Sequence, residues 1–269
     1  MSVTMGSVAL PSFTPIFVLG LVMLGGCIDH PEAPTVPGGS STPPPATGGQ
    51  QGTTQPGTPI RTADPKAVLT EAVYVFMDDY NGESWICTGA LIAKDMVVTA
   101  AHCLDEGKYQ SFSVIAPLAA DKSRVWASSV ASFSGEYETI SNPDIGLMRL
   151  HQPIEVPSYA TLTDVSARVE KGEKLTAVAL VRQAEEAEAP LKAVSDLILS
   201  SAVASGYEHG FSTPLFSHGG DSGAGLFLVE NGQPTHKLIG VARQPEPPNR
   251  DHFTRIDTEI KGWFDGNAE

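Results

Sequence analysis

From about Thr62 onward, apolar residues come in short runs separated by turn formers. AVYVFM (72–77), MVVTA (96–100), IGLMRL (145–150), LTAVALV (175–181), AGLFLV (224–229) and KLIGVA (237–242) are examples. They are rich in Val, Ile, Leu and Phe, and they have strand length. Asp79-Tyr80-Asn81-Gly82 and Glu230-Asn231-Gly232 have turn composition. So many short strands predict an all-β fold, a sandwich or a pair of barrels. Only 257–264 (DTEIKGWF) reads as a helix. Ile260, Trp263 and Phe264 fall on one side of it, with Asp257 as N-cap. No short fixed-period repeat is present.

The first sixty residues follow a different pattern. They contain no Lys and no Arg, and 15–26 (PIFVLGLVMLGG) is one apolar run. A membrane-spanning helix needs about 20 apolar residues, whereas this run has the length of a signal-peptide core. It ends in Leu24-Gly25-Gly26-Cys27, which resembles the lipobox of bacterial lipoproteins. That resemblance implies export, removal of 1–26 and lipidation of Cys27, which would anchor the chain to a membrane. The next residue is Ile28 and not Asp, which in the sorting pattern it resembles points to the outer membrane. Residues 31–59 are dominated by Pro, Gly, Ser, Thr and Gln. They cannot build a core, and they read as an extended tether. The expected organisation is a signal peptide (1–26), a tether (27–61) and a folded domain (62–269).

Charge narrows the partners. Lys and Arg total 17 against 31 Asp and Glu, a net charge of -14. This argues against binding nucleic acid, which depends on neutralising phosphates. Hydrophobic residues make up 41 %, enough for a packed core. The three cysteines are too few for a disulfide-dense scaffold, and their odd number leaves at least one with another fate.

Three local patterns carry chemistry. CTGALI (87–92) is followed by MVVTAAHC (96–103), then DIGLMRL (144–150), then GGDSGAG (219–225). A serine hydroxyl is a weak nucleophile that needs a base in hydrogen-bond reach. Histidine supplies such a base near neutral pH, and a buried carboxylate can fix its tautomer. Glycines around a serine let backbone N–H groups turn toward a developing oxyanion. The TAAHC, DIGLM and GDSG patterns, in this order, resemble the chymotrypsin/trypsin-like serine protease family over about 72–264. FTRI (253–256) also resembles its C-terminal strand.

The resemblance implies two six-stranded antiparallel β-barrels with a C-terminal helix. It implies a serine endopeptidase with His102 as general base, Asp144 as its orienting carboxylate and Ser222 as nucleophile. The N–H groups of Gly220 and Ser222 would form the oxyanion hole, with Asp221 supporting that loop through an ion pair. Cys87 and Cys103 match the family's disulfide, leaving Cys27 for lipid. No cofactor is implied. No second Cys/His cluster at ligand spacing accompanies His102 and Cys103, so no metal site is expected.

Several positions depart from the family pattern. Ala224-Gly225 replaces the usual Gly-Pro. Phe216 stands where an Asp would select basic substrates, so a shallow pocket for small or apolar side chains is expected. Arg243-Gln244-Pro245 occupies the substrate-pairing strand; Pro245 lacks an N–H donor there. Arg243 would bring a cation near the pocket, facing Asp144 or an acidic substrate. The family's mature N-terminus is missing. Either cleavage at Arg61–Thr62 creates one, or an internal Arg or Lys meets Asp221. His151, His209, His218, His236 and His252 are expected to be structural or exposed, and Glu185, Glu186 and Glu188 to form a solvated loop. The alternatives are a catalytically inactive protease-fold binding module at the envelope and an esterase using the same triad. A monomer acting on protein or peptide is expected.

Overall fold

A computed structural model describes residues 64–182, 189–243 and 250–267. The expected signal peptide (1–26), Cys27, the expected tether, the Arg61–Thr62 junction, Glu185, Glu186, Glu188, Gln244 and Pro245 lie outside the described residues.

Six strands close the first barrel: β1 (Ala72–Asp79), β2 (Ser84–Ala93), β3 (Met96–Thr99), β4 (Tyr109–Ile115), β5 (Val125–Ser132) and β6 (Gly146–Leu150). Their order around the barrel is β1-β2-β3-β6-β5-β4. The second sheet has eight strands: β7 (Thr161–Leu162), β8 (Thr176–Val181), β9 (Lys192–Ile198), β10 (Ser200–Ser201), β11 (Gly210–Pro214), β12 (Gly225–Glu230), β13 (Gln233–Ala242) and β14 (Arg250–Arg255). Seven of them run β10-β11-β14-β13-β12-β8-β9, and β7 pairs with β13 off that path. The expected pair of barrels is therefore one closed six-stranded barrel and one half-barrel. Pairing among the described residues leaves β9 and β10 as its ends.

The continuous apolar runs follow from burial on both faces of a strand. In β1, Val73, Val75 and Met77 point into the first barrel, with Leu91, Val97 and Met148. The alternate residues Tyr74 and Phe76 belong to a core shared with the second sheet, which includes Val178, Leu180, Phe227 and Leu238. In β8 the same division sends Ala177, Ala179 and Val181 into the second barrel with Phe211, Leu226 and Phe253. Two barrels packed face to face thus require a core of three clusters.

The turns use the expected chemistry. Asp79 accepts from Asn81 N at 2.8 Å and Glu83 N at 2.9 Å, closing the β1–β2 hairpin. Asn231 and Gly232 join β12 to β13 at φ +52° and +72°, as a two-residue hairpin needs. The C-terminal helix runs Thr258–Asn267. Asp257 caps it, accepting from Ile260 N at 3.0 Å, while Ile260 and Phe264 are buried and Trp263 packs edge-on against Phe133. Two further helices, Pro65–Val68 and Ser166–Glu170, were not expected from the sequence. At one turn each they are too short to show periodicity.

Candidate active site

His102 lies on a 3₁₀ turn, Ala101–Leu104, directly after β3. Asp144 precedes β6, which pairs with β3 in the register Thr99↔Gly146. That pairing sets the two side chains against each other. His102 Nδ1 is 2.7 Å from Asp144 Oδ2, and His102 N donates to Asp144 Oδ1 at 3.0 Å. The carboxylate is 3 % exposed. Two bonds to one carboxylate fix both the ring and its backbone.

The second barrel holds the aspartate's main chain. Asp144 N donates to Thr254 Oγ1 at 3.1 Å, and the Thr254 hydroxyl donates to Asp144 O at 3.1 Å. Thr254 lies on β14, 110 residues away, and its part in the site has no local signal in sequence.

Ser222 sits in the loop between β11 and β12, which both barrels shape. From the first barrel, Thr88 N donates to Ser222 O at 2.7 Å and the Thr88 hydroxyl to Gly220 O at 3.0 Å. From the second, Gly223 N donates to Ala242 O at 2.7 Å. Gly220 and Gly223 have φ of +91° and +83°, where an L side chain is strained. The N–H groups of Gly220 and Ser222 donate to nothing among the described residues, so both are free to hold an oxyanion. The Ser222 hydroxyl likewise makes no hydrogen bond among the described residues. In ligand-free sites such catalytic bonds are often long and tighten with substrate.

Asp221 is fully buried and supports this loop by accepting from Arg182 N at 2.7 Å and His218 N at 2.9 Å. The Arg182 bond here is made by its backbone amide. Its guanidinium packs on Gly220, with Cζ 3.0 Å from where a β-carbon would sit.

Cys87 and Cys103 are joined as a disulfide, with 6.4 Å between Cα atoms. It ties the His102 turn to β2 beside Thr88. With His102 these two residues form the metal-ligand-like cluster among the described residues, but their sulfurs are bonded to each other and cannot be thiolate ligands.

Ser222 and His102 both line a cavity of about 760 Å³. Neither Phe216 nor Arg243 does. Phe216 N and Ser217 N donate to the buried Asp251 carboxylate at 2.6 and 3.0 Å, and the Phe216 ring lies 6.1 Å from that of Phe253. Asp251, on β14, was not foreseen, since a lone Asp carries no sequence signal. Arg243 faces neither Asp144 nor the cavity. It donates to the carbonyls of Tyr137 (3.1 Å), Ile140 (3.4 Å) and Asn142 (3.2 Å), and it lies over the Tyr207 ring. Those carbonyls belong to the segment leading to Asp144. Tyr137 is anchored there by donating to Asp105 Oδ2 at 2.6 Å. Burial and that carboxylate push the phenol's pKa up, and the same bond holds Asp105 below its usual value.

The other histidines have distinct places. His209 meets Asp257 at 2.8 Å, His236 meets the buried Glu71 at 2.7 Å, and His252 stacks on Tyr207. His151 is exposed. His218 lines the cavity beside Ser222, a placement its position in sequence did not reveal.

In sequence, the family described as Trypsin matches residues 66–263. No curated protein matches the chain. Among solved structures, HL collagenase is similar with a TM-score of 0.61 and 17 % identity, covering 76 % of this chain and 95 % of its own. Protease Anisep from Arthrobacter nicotinovorans gives 0.57 and 16 %, covering 74 % and 96 %. The scabies mite inactivated protease paralogue S-D1 gives 0.57 and 17 %, covering 74 % and 92 %.

Proposed function

The chain belongs to the trypsin family, and from that premise we propose that it is an exported, lipid-anchored serine endopeptidase. One observation carries the reading. A buried carboxylate holds an imidazole at 2.7 Å, and that imidazole shares a cavity with Ser222 and its two undonated amides.

In the proposed reaction His102 takes the Ser222 proton as Oγ adds to the peptide carbonyl. The carbonyl oxygen becomes an oxyanion held by Gly220 N and Ser222 N. His102 then gives its proton to the departing amine, leaving an acyl-enzyme. Water, deprotonated by the same imidazole, attacks the ester and releases the acid. Asp144 keeps the productive tautomer and stabilises the imidazolium between these steps. Asp251 is buried and its charge is already shared among donors from Phe216 and Ser217, and Phe216 stands where an Asp would select basic substrates, so small or apolar acyl-side residues are favoured over basic ones. The Cys27 lipid and the 27–61 tether would hold the domain at the cell envelope.

A second reading, a non-catalytic binding module, is favoured by the unbonded Ser222 hydroxyl and by the likeness to inactivated mite paralogues. The undonated amides weigh against it, because binding alone does not require them. The test is turnover of a mixed peptide library by the full chain, read by mass spectrometry. Internal cleavage that Ser222→Ala abolishes supports the proposal. An intact library refutes it. Alkyne–fatty-acid labelling in a bacterial host, lost in Cys27→Ala, tests the anchor.

A further inference from the structure

The cavity beside Ser222 lies on one side of the nucleophile, and chemistry says which half of a peptide enters it. His102 must reach the departing amine. That half therefore passes between the imidazole and the first barrel, where Phe76, Met77, Trp85 and Ile86 of the β1–β2 hairpin wall the cavity.

The far wall is Arg124. Its guanidinium lies 4.7 Å from the Phe76 ring centre and 4.9 Å from that of Trp126. Nε donates to Ser113 Oγ at 2.6 Å. Two rings and a hydrogen bond thus order the arginine before any ligand arrives, which removes the entropy cost of fixing so flexible a side chain. Asp78 stands 3.5 Å from Nη2, and its carboxylate also takes the Ser84 and Ser111 hydroxyls. Ser113, Asp78 and the rings leave the group partly exposed, at 36 % of its side chain.

Charge and shape agree. In a chain of net charge -14, the cavity is lined by two arginines, Arg124 and Arg182, and among its described lining residues by no carboxylate. Trp85 is 53 % exposed and Trp126 47 %, large aromatic surfaces left open beside a cation. A planar guanidinium between rings suits a carboxylate, which it can meet with two parallel N–H donors.

We infer that this cavity is the leaving-side subsite of the proposed protease, and that Arg124 selects a peptide carrying a carboxylate there. The inference rests on the peptidase reading. The carboxylate can belong to an Asp or Glu side chain or to a chain terminus.

The test uses the full chain and matched fluorogenic peptides with Glu, Gln or Lys at successive leaving-side positions, all C-terminally amidated. A second set carries Gln throughout and differs only in a free or amidated C-terminus. At one position the Glu peptide should exceed its Gln match in kcat/KM by about tenfold, with Lys lowest. Arg124→Gln should bring that ratio near one, and Arg124→Lys should keep part of it. Because the readout is a ratio within each variant, partial unfolding cannot mimic it. A preference only in the second set assigns the subsite to a chain terminus. Equal cleavage of Glu and Gln peptides at every position and of both terminal forms, or a preference that survives in Arg124→Gln, overturns the inference but leaves the protease. To separate the two failures, the same peptides are titrated against Ser222→Ala by fluorescence polarisation. Carboxylate-dependent binding there supports the subsite even without turnover, and its absence overturns it.

Discussion

Gly223, the residue after the proposed nucleophile, is where the fold and the site constrain each other most tightly. A β-carbon there would lie 2.0 Å from Thr88 O and 2.1 Å from Thr99 Oγ1. Those two atoms belong to the first barrel and are already bonded, Thr99 Oγ1 donating to Thr88 O at 2.7 Å. Thr88 cannot retreat freely, because its N–H holds Ser222 O. In Gly223→Ala the methyl must therefore break this bridge or push the serine loop away. Alanine at φ +83° costs roughly 1–2 kcal/mol and overpacking roughly 1–3 more, so a loss of about 2–5 kcal/mol is expected. For a domain of about 200 residues that lowers Tm by roughly 5–15 °C. Displacing the serine by about 1 Å would cost about 10²-fold in turnover besides. Calorimetry on the purified chain and peptide turnover below the lower Tm read the two effects separately. A Tm within about 2 °C of the parent together with unchanged turnover would refute the packing argument.

Other predictions address separate contacts. Asp144→Asn should leave the fold intact but lower kcat roughly 10⁴-fold, since the amide favours the wrong imidazole tautomer; turnover at saturating peptide checks this. Replacing Cys87 and Cys103 together by Ser should cost roughly 3 kcal/mol for a 16-residue separation, read as a lower urea midpoint. Glu71 is fully buried, and among the described residues its Oε2 has no partner. Burial raises its pKa, although the bond to His236 opposes this. Because the folded value is the higher one, its contribution to stability is full below the ordinary carboxylate value and is lost as pH rises through the folded value. Urea midpoints for Glu71→Gln should therefore decline less than the parent's over that window. Asp257 has the opposite sign. Burial acts to raise its pKa, but Ile260 N–H, His209 and Arg255 outweigh it and hold it low. Its contribution is present above the ordinary value and lost as pH falls through the folded one, which Asp257→Asn should remove.

The parts legible in the sequence were those written locally. AVYVFM and LTAVALV announce strands buried on both faces, and Asp257 announces its helix because a cap lies beside what it caps. The three motifs around His102, Asp144 and Ser222 each occupy a single short segment. Features that depend on two distant segments meeting were not legible. Thr254 grips the Asp144 backbone from 110 residues away, and Thr88 shapes the serine loop from the other barrel. Arg243 is another such case: spacing suggested a cation near the pocket, but three carbonyls of the 137–142 segment take its guanidinium. Asp221 accepts from the Arg182 backbone N–H, a contact between distant segments that no side-chain rule anticipates. The pair of barrels came from resemblance, and the structure has it as one closed six-stranded barrel and, among the described residues, one half-barrel of β7 through β14.

The central claim is that Ser222 is a nucleophile activated by His102. Fluorophosphonate labelling of the full chain, with the modified residue located by mass spectrometry, tests it most directly. The account predicts a single adduct on Ser222, absent in Ser222→Ala and strongly slowed in Asp144→Asn. A folded protein that takes no label, or takes it at another residue, would contradict the account.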